Sequence, residues 1–351
     1  MKRYLHLNTF LITGGYGFIG SHFIRLLNRE KPHWRIVNLD LLTYAGNLDN
    51  LADLNFAVRE SQYRFVRGDI ADSSLVRQIF ETENVDGIVN FAAETHVDRS
   101  LLDSAPFVRT NIEGVRVLLE VAAQYGIKRF LQVSTDEVYG SLAPDEPAFS
   151  EDSSLRPNSP YAASKAAADL LVRAYHYSYG LPTLITRCGN NYGPYQFPEK
   201  FLPLFITNAL DDQPLPLYGD GRQIRDWIHA EDHARAVLHV LEQGVPGEVY
   251  NVSADGEQTN QCMAEWILDV LGKSRQLIRH VEDRPGHDRR YALKASKIRG
   301  LGWQPSIPLE QGLSRTIDWY RNQRAWWERI KSGEYRKYYL EMYGQRLKNQ
   351  G

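Results

Sequence analysis

Two adjacent carboxylates stand a short distance along the chain from a tyrosine–lysine pair. Thr135, Asp136 and Glu137 are followed downstream by Tyr161 and Lys165. A tyrosine held near a lysine can remove a hydroxyl proton while a hydride leaves the same carbon. An acid and a base beside that pair would add the elimination of water to the redox step. Together these residue types indicate an enzyme that oxidises a sugar, removes water from it and reduces it again.

The tyrosine and the lysine need a helix to bring them together. They lie four positions apart at the start of a helical pattern over 161–179, so both side chains project from one face. A free tyrosine, with a pKa of about 10, is a poor base at neutral pH. A neighbouring ammonium and a positive nicotinamide would both favour the phenolate and lower that pKa. A solvated helix face explains an isolated pair of this kind, but the loop described next favours catalysis.

A glycine-rich loop follows the first candidate strand and opens a helix. Glycines are needed there where the backbone turns, approaches a pyrophosphate and packs the helix on the sheet, and the helix N-terminus attracts the phosphates. An ordinary strand–helix turn also explains some loops of this type. Asp40, about 20 residues further on, favours the dinucleotide site, since its carboxylate can accept both ribose hydroxyls and would repel a 2′-phosphate. We predict NAD rather than NADP, bound by the loop residues Gly14, Gly17, Phe18, Ile19 and Gly20.

Two later strand ends complete the predicted cofactor site. Asp69 and Ile70 follow the third strand, where they would reach the adenine, although Asp69 is also a candidate helix N-cap. Phe91, Ala92 and Ala93 end the fourth strand. The two alanines are small enough for the cofactor to approach the backbone. Ligands of such folds gather at the carboxyl ends of the strands.

Short apolar runs alternate with amphipathic stretches in the first half of the chain, which is the pattern of βαβ units. Candidate strands cover 10–12, 35–39, 63–66, 87–91, 129–133 and 182–186, and candidate helices 20–29, 74–82, 108–125 and 161–179. Prolines punctuate the chain after about residue 190. We predict an α/β fold: a Rossmann-type doubly wound parallel sheet over 1–189, and a smaller, mixed α/β substrate lobe over 190–351 with some segments returning to the first domain.

Composition narrows the class of protein. The chain has 351 residues, long enough for a substantial core, and a formal charge of −2, which gives no sign of a nucleic-acid surface. It has no apolar run near the roughly 18 residues of a membrane span. Cys188 and Cys262 are far apart and are expected to be reduced thiols, so neither a disulfide nor a metal site is predicted. With no signal-peptide pattern at the N-terminus, we expect a cytoplasmic protein.

At these motifs the chain resembles the extended short-chain dehydrogenase/reductases (NAD-dependent epimerase/dehydratase family), and closely the dTDP-glucose 4,6-dehydratases. The resemblance covers almost the full length and is carried by segments 13–20, 42–47, 92–100, 134–140, 188–195, 225–229 and 283–291. The glycine loop and the Tyr161/Lys165 pair are shared with epimerases and decarboxylases. Thr135-Asp136-Glu137 and segment 283–291 are much more specific.

The resemblance implies a lyase that converts dTDP-glucose to dTDP-4-keto-6-deoxyglucose. Tyr161 would remove the C4 hydroxyl proton, with Thr135 orienting that oxygen and Lys165 bonding the nicotinamide ribose. Glu137 would then take the C5 proton, which the new ketone acidifies, while protonated Asp136 donates to the departing C6 hydroxyl. NAD would stay tightly bound and be regenerated in each cycle.

The resemblance also assigns binding residues. For each of the substrate residues named below, taken alone, a surface ion pair or a loop hydrogen bond explains the residue about as well as substrate binding does. Homodimerisation through 108–125 and 161–179 is a family expectation. To the cofactor set the resemblance adds Thr43, Thr110, Ser134, Tyr161, Lys165 and Asn191, and to the substrate it assigns Thr95, His96, Thr135, Asn190, Lys200, Phe201, Pro216, Tyr218, Arg225, Asn260, Arg284 and His287.

Three alternatives stay open at this point. A UDP-glucose 4,6-dehydratase would use the same residues, and a C4 epimerase would share Tyr161 and Lys165 without needing Asp136 and Glu137. A non-catalytic, NAD-sensing protein would need none of these four residues.

Adjacent side chains of an extended strand point to opposite faces, so the carboxylates of Asp136 and Glu137 can share a site only if the chain bends or enters a helical turn just after Ser134.

Overall fold

The computed structural model describes residues 7–54, 56, 61–333, 337, 339–340, 342–343 and 347. Its strands are β1 (Thr9–Thr13), β2 (Arg35–Asp40), β3 (Tyr63–Arg67), β4 (Gly87–Asn90), β5 (Arg129–Thr135), β6 (Thr183–Cys188), β7 (Asn190–Tyr192), β8 (Leu215–Tyr218), β9 (Ile224–His229), β10 (Val249–Val252), β11 (Glu257–Thr259) and β12 (Ile278–Val281).

The helices alternate with these strands through most of the chain. They are α1 (Phe18–Glu30), α2 (Ser73–Glu83), α3 (Val97–Leu102), α4 (Ala105–Phe107), α5 (Val115–Tyr125), α6 (Pro160–Tyr179), α7 (Phe201–Leu210), α8 (Ala230–Gln243), α9 (Asn260–Leu271), α10 (Ser296–Gly300), α11 (Leu309–Asn322) and α12 (Arg324–Ser332). A π-helical segment (Val108–Gly114) precedes α5, and 3₁₀ turns occupy Leu48–Leu51, Asp136–Tyr139 and Arg275–Leu277.

Seven parallel strands form the large sheet, in the order β10-β6-β5-β4-β1-β2-β3. Strands β1 and β5 are buried along their whole length, as expected for a parallel sheet covered on both faces. The strand order reverses between β1 and β4, which opens a crevice at the carboxyl ends of these strands. This topology places the ends of β1, β2, β4 and β5 along one edge, where ligands of such sheets bind.

Two helix layers cover this sheet. On one face α1 packs against α8, and their apolar side chains, Phe23 and Val237 among them, join the same core as Ile12 of β1. On the other face α2, α5 and α6 enclose a second core that includes Leu118 and Val172. The helix α8 comes from the second half of the chain, so that half completes the large domain.

The remaining elements form a smaller lobe beside the crevice. It has a three-stranded sheet, β11-β9-β7, and a parallel pair, β12-β8, with α7, α9 and α11 packed around a separate apolar core. Strand β7 begins two residues after β6 ends, so the chain passes directly from the large sheet to the lobe's sheet. The lobe therefore faces the carboxyl edge of the large sheet.

The predicted Rossmann-type sheet is confirmed, and all six candidate strands and all four candidate helices form. Three details differ. The seventh strand, β10, was not predicted, β4 ends at Asn90 rather than Phe91, and the first turns of the predicted helix 108–125 are π-helical. The domain division at 189/190 stays a prediction. The segments after residue 190 that return to the large domain include α8 and β10. None of the described helices is both long and apolar enough to cross a membrane.

Candidate active site

The glycine-rich turn between β1 and α1 fits the pyrophosphate of a dinucleotide. Gly14 has φ of +67°, and a Cβ there would lie 2.7 Å from the backbone nitrogen of Ala92. A Cβ on Gly20 would lie 2.2 Å from the oxygen of Gly14, so side chains are excluded where the turn packs on the sheet. No side chain caps α1, whose first N–H groups begin at Phe18 beside the crevice. Such a terminus offers free donors and a positive dipole to phosphate.

Asp40 ends β2, as predicted, and its carboxylate lies beside this turn. Its Oδ2 accepts the N–H of Tyr16 at 2.8 Å and its Oδ1 accepts the N–H of Leu42 at 2.8 Å. Burial raises the pKa of Asp40, and the two backbone donors oppose that change. Each oxygen keeps a second lone pair for a ribose hydroxyl. The residues present fit a dinucleotide with an unmodified ribose.

The other predicted cofactor residues line the same crevice. Asp69 does not cap α2, because Asp72 accepts the N–H groups of Ser74 and Leu75 at that helix end. Asp69 instead pairs with Arg109 at 2.8 Å. The residues found along the wall are Thr43, Asp69, Ile70, Phe91, Ala92, Ala93, Thr110, Ser134 and Asn191.

The chain turns at the two carboxylates. Strand β5 ends at Thr135, and Asp136 begins the 3₁₀ turn. The hydroxyl of Thr135 accepts the N–H of Glu137 at 3.2 Å and donates to Oδ1 of Asp136 at 3.1 Å. Gly140, with φ of +88°, ends the turn. The turn brings Asp136 and Glu137 to the same crevice as Thr135, which resolves the objection that adjacent strand residues face opposite ways.

The two carboxylates have different electrostatic surroundings. Burial, followed by the charge of Glu137, raises the pKa of Asp136 well above its ordinary value, and its Oδ2 has no hydrogen-bond partner among the described residues. Burial also raises the pKa of Glu137, but the cations Arg284 and Arg225 oppose that rise. Surroundings that separate the pKa values of two carboxyl groups in this way suit one group as an acid and the other as a base.

Tyr161 and Lys165 lie on the first turns of α6, which Ser159 caps by accepting the N–H of Ala162. Both side chains are buried and line the crevice. Burial lowers the pKa of Lys165 to about 8, and its Nζ donates to the carbonyl of Val133 at 2.7 Å. The lysine is thus held beside the end of β5.

The expectation of a lowered tyrosine pKa is not met by the protein alone. Burial raises the pKa of Tyr161 well above its ordinary value, and the charges of Glu137 and Asp136 add to that rise. A hydrogen bond with Thr135 acts in the opposite direction. Desolvation and the two carboxylates thus outweigh the hydrogen bond with Thr135. Protonation of Asp136 or positive charge from a bound ligand would favour the phenolate.

The predicted substrate residues fall into two groups. Thr95, Thr135, Asn190 and Lys200 line the crevice, and Nζ of Lys200 donates to the carbonyl of Thr95 at 2.8 Å. Arg225 and Arg284 lie close enough for their charges to lower the pKa of Glu137. These six side chains lie together with the carboxylate turn.

The second group lies outside the crevice wall. In this group, Tyr218 donates to the carboxylate of Asp98 at 3.0 Å, and Arg284 of the first group donates to the same carboxylate at 3.2 Å. Nδ1 of His287 lies 2.6 Å from Oδ1 of Asp283. Burial lowers the pKa of His96 to about 3, so that imidazole is neutral. The nucleoside contacts proposed for these positions stay predictions, as they do for Phe201, Pro216 and Asn260.

Comparison with known proteins agrees with this geometry. Residues 11–316 match the model of the GDP-mannose 4,6 dehydratase family. The chain belongs to that family. It is 50% identical over 327 residues to a dTDP-glucose 4,6-dehydratase of Streptomyces niveus, an alignment that covers 92% of this chain and 95% of the relative.

Solved structures of a dehydratase and of an epimerase both share this fold. A dTDP-glucose 4,6-dehydratase of Streptomyces venezuelae with NAD bound is 50% identical, with a TM-score of 0.88. The match covers 92% of this chain and 100% of that structure's chain. A UDP-glucose 4-epimerase of Thermotoga maritima is 29% identical, with a TM-score of 0.83 over 90% of this chain and 99% of the epimerase. The fold is therefore common to both classes, whereas the sequence is much closer to the dehydratases.

The structure adds wall residues that sequence reasoning missed. Cys188 ends β6 and pairs in register with Thr135, and Nδ1 of His233 bonds the amide oxygen of Asn191 at 2.9 Å. Glu199 accepts from Tyr44 at 2.8 Å and from Arg99 at 3.0 Å. Strand ends were the available signal for Cys188, but no local pattern points to the others. The added residues of the wall include Glu94, Cys188, Gln196, Phe197, Glu199 and His233.

Proposed function

We propose that this member of the GDP-mannose 4,6 dehydratase family dehydrates dTDP-glucose to dTDP-4-keto-6-deoxyglucose. The observation that carries the proposal is the 3₁₀ turn that brings Asp136 and Glu137 to the crevice of Tyr161. An exchange of configuration at C4 needs no acid and base for C5 and C6. Relatives that are 45–50% identical over most of the chain are named dTDP-glucose 4,6-dehydratases, which favours this reaction and this nucleotide over UDP-glucose.

The cofactor of the proposed reaction is NAD. The bound cofactor would supply the redox chemistry, as acceptor of a hydride from C4 and donor of a hydride to C6, and would be regenerated in each cycle. Gly14, Gly17 and the start of α1 would hold its pyrophosphate, and Asp40 its adenosine ribose. A 2′-phosphate would meet the carboxylate of Asp40, with Leu41 and Leu42 following and no cation adjacent in sequence. NADP should therefore bind much more weakly.

Tyr161 performs the first proton transfer in this mechanism. Its phenolate accepts the proton of the C4 hydroxyl as that carbon becomes a ketone. Thr135 hydrogen-bonds the C4 oxygen and Lys165, held by Val133, supplies positive charge on the same helix face. The buried site keeps competing water away from these groups.

Glu137 and Asp136 perform the elimination. The C4 ketone acidifies the C5 proton, which the carboxylate of Glu137 accepts. Asp136, kept protonated by burial, donates its proton to the C6 hydroxyl, and water leaves with the C6–O bond broken. Proton return to C5 accompanies the reduction of C6, which gives the 4-keto-6-deoxy sugar. Placing the acid and the base on consecutive residues lets one turn serve both carbons.

The assay for this function is product formation from dTDP-glucose with NAD-loaded protein. We expect the alkali-developed chromophore of the 4-keto product, loss of water by mass spectrometry, and lower turnover on UDP-glucose at equal concentration. A mass-neutral product with inverted C4 would assign the protein to the epimerases instead. Failure to produce either compound would reject the proposed activity.

We further propose a cytoplasmic homodimer, assembled through the π-helical segment with α5 and through α6. Side chains of these elements that remain exposed include Val108, Leu170, Tyr177 and Tyr179, at 52%, 56%, 67% and 69% of their full surface. A homodimer through these elements would cover these exposed side chains. Light scattering should give twice the chain mass of 40.3 kDa, and a monomer would contradict the proposal.

A further inference from the structure

A hydrogen bond joins the C-terminal helix α12 to the loop after β2. Nε1 of Trp326 donates to Oδ1 of Asn50 at 3.2 Å, across 276 positions of sequence. Both residues are buried, with 6% and 1% of their surface exposed. A buried polar pair costs free energy unless its hydrogen bonds are made, so this contact is a fixed feature of the native packing.

Asn50 also hydrogen-bonds the glycine-rich turn. Its Nδ2 donates to the carbonyl of Tyr16 at 2.8 Å, and Tyr16 stands between Gly15 and Gly17. An indole N–H can only donate, so Trp326 fixes which amide atom of Asn50 is the acceptor. The amide nitrogen is thereby turned towards Tyr16.

The peptide groups of Tyr16 are held from both sides. Its N–H donates to Oδ2 of Asp40 at 2.8 Å, and its carbonyl also accepts the N–H of Asn47 at 3.1 Å. A shift of the Tyr16 carbonyl would therefore displace both the glycine turn and the carboxylate proposed for the ribose. The link between Trp326 and Asn50 acts on the two parts of the protein assigned to the dinucleotide.

A second contact of α12 in the same place is weaker. Arg329 meets Asp49 at 2.6 Å, but its side chain is 69% exposed. Exposed ion pairs contribute little and are screened by salt. Of these two contacts, the buried indole link is therefore expected to matter more.

We propose that Trp326, acting through Asn50, is a positioning residue that holds the glycine-rich turn and Asp40 in place and thereby slows the loss of bound NAD. This inference rests on the dinucleotide role given to the crevice. A cofactor that is regenerated in each cycle need not leave, so a permanent link that strengthens its retention does not slow turnover.

The test is the rate at which NAD leaves the loaded protein. Released NAD is trapped by alcohol dehydrogenase with excess ethanol, and the absorbance of NADH follows its release. Trp326→Phe keeps an aromatic ring and removes the donor, and we expect NAD to leave roughly fivefold to tenfold faster, the effect of one buried hydrogen bond. The variant should recover turnover when NAD is added in excess.

Trp303→Phe is the matched control. Trp303 is 5% exposed in the main core, and its Nε1 has no hydrogen-bond partner among the described residues. The same substitution there removes ring volume from the core but no hydrogen bond among the described residues, and should leave NAD release unchanged. Equal acceleration in both variants, or an unchanged rate in Trp326→Phe, would overturn the inference.

Asn50→Ala provides a second route to the same answer. If Trp326 acts through Asn50, the double variant should release NAD no faster than Asn50→Ala alone. Full additivity of the two effects would contradict that route. A parent protein that binds no NAD would overturn the proposed function and this inference together, whereas NAD binding with unchanged release would overturn the inference alone.

Discussion

Replacing Asp136 by Asn and Glu137 by Gln is expected to lower the rate of water loss by roughly 10²–10⁴-fold, the usual contribution of general acid–base groups. Oxidation at C4 should be spared by comparison, because Tyr161, Thr135 and Lys165 are untouched. Mixing the NAD-loaded double variant with dTDP-glucose should therefore accumulate reduced cofactor, measured by absorbance, and little 4-keto-6-deoxy product. A fully active double variant would reject the assignment of both carboxylates.

The single variants separate the two roles. In deuterated water, Asp136→Asn retains the base and should still exchange the C5 proton with solvent while C6 keeps its hydroxyl. Glu137→Gln should show neither exchange nor water loss, although the ketone can form. Exchange that survives in Glu137→Gln but not in Asp136→Asn would reverse the assignment of acid and base.

Thermal melting at pH 8 serves as the folding control for these variants. Burial raises the folded-state pKa of Asp136, so the folded protein holds that proton more tightly than the unfolded chain does. The stabilising effect of this proton is therefore full below the unfolded pKa and is lost as the pH rises through the folded pKa. At pH 8 the carboxyl group opposes folding, and the neutral amide of Asn does not. The Asp136→Asn variant should melt at the same temperature as the parent or higher.

Most of the fold and half of the site were predictable because their signals are local. The turn at Gly14, the acidic residue Asp40 at a strand end, and the i, i+4 spacing of Tyr161 and Lys165 each depend on a few neighbouring residues. The alternation of strands and helices then fixes where those residues meet. Strand β10 was missed because it comes late in the chain, after the smaller lobe has begun.

The other half of the site depends on contacts between distant segments. Glu199 reaches Tyr44 across 155 positions and Arg99 across 100, and no sequence period encodes such pairs. The 3₁₀ turn at Asp136 is different, since its cap, Thr135, is adjacent in sequence. Spacing alone gave no reason to prefer that turn over a continuing strand, and only the family resemblance required it.

The structure also changes how Tyr161 must be understood as a base. In the protein alone, burial and two neighbouring carboxylates hold its pKa above the ordinary value, which stabilises the neutral phenol. A protonated Asp136 and the positive charge of a bound nicotinamide would both act against that rise.

Tyr161→Phe should lower turnover by roughly 10²–10⁴-fold, since it removes the hydroxyl to which the mechanism assigns the C4 proton. The aromatic ring is retained, including its edge contact with Phe107 at 6.3 Å, so packing changes little. Unlike the carboxylate variants, Tyr161→Phe should accumulate no reduced cofactor on mixing with dTDP-glucose, because it fails before the ketone forms.

The residual activity of Tyr161→Phe and its pH dependence complete the test. In the parent, the rate at low substrate should rise with pH, because the active form of Tyr161 is the deprotonated one and its pKa is raised. The variant should lose that rise. Tyr192→Phe is the matched control. Tyr192 is 1% exposed, and among the described residues its hydroxyl makes one long hydrogen bond, donating to the carbonyl of Leu309 at 3.4 Å, outside the crevice. Unchanged turnover in Tyr161→Phe would remove the base from the mechanism, and an equal loss in Tyr192→Phe would show that the effect comes from packing instead.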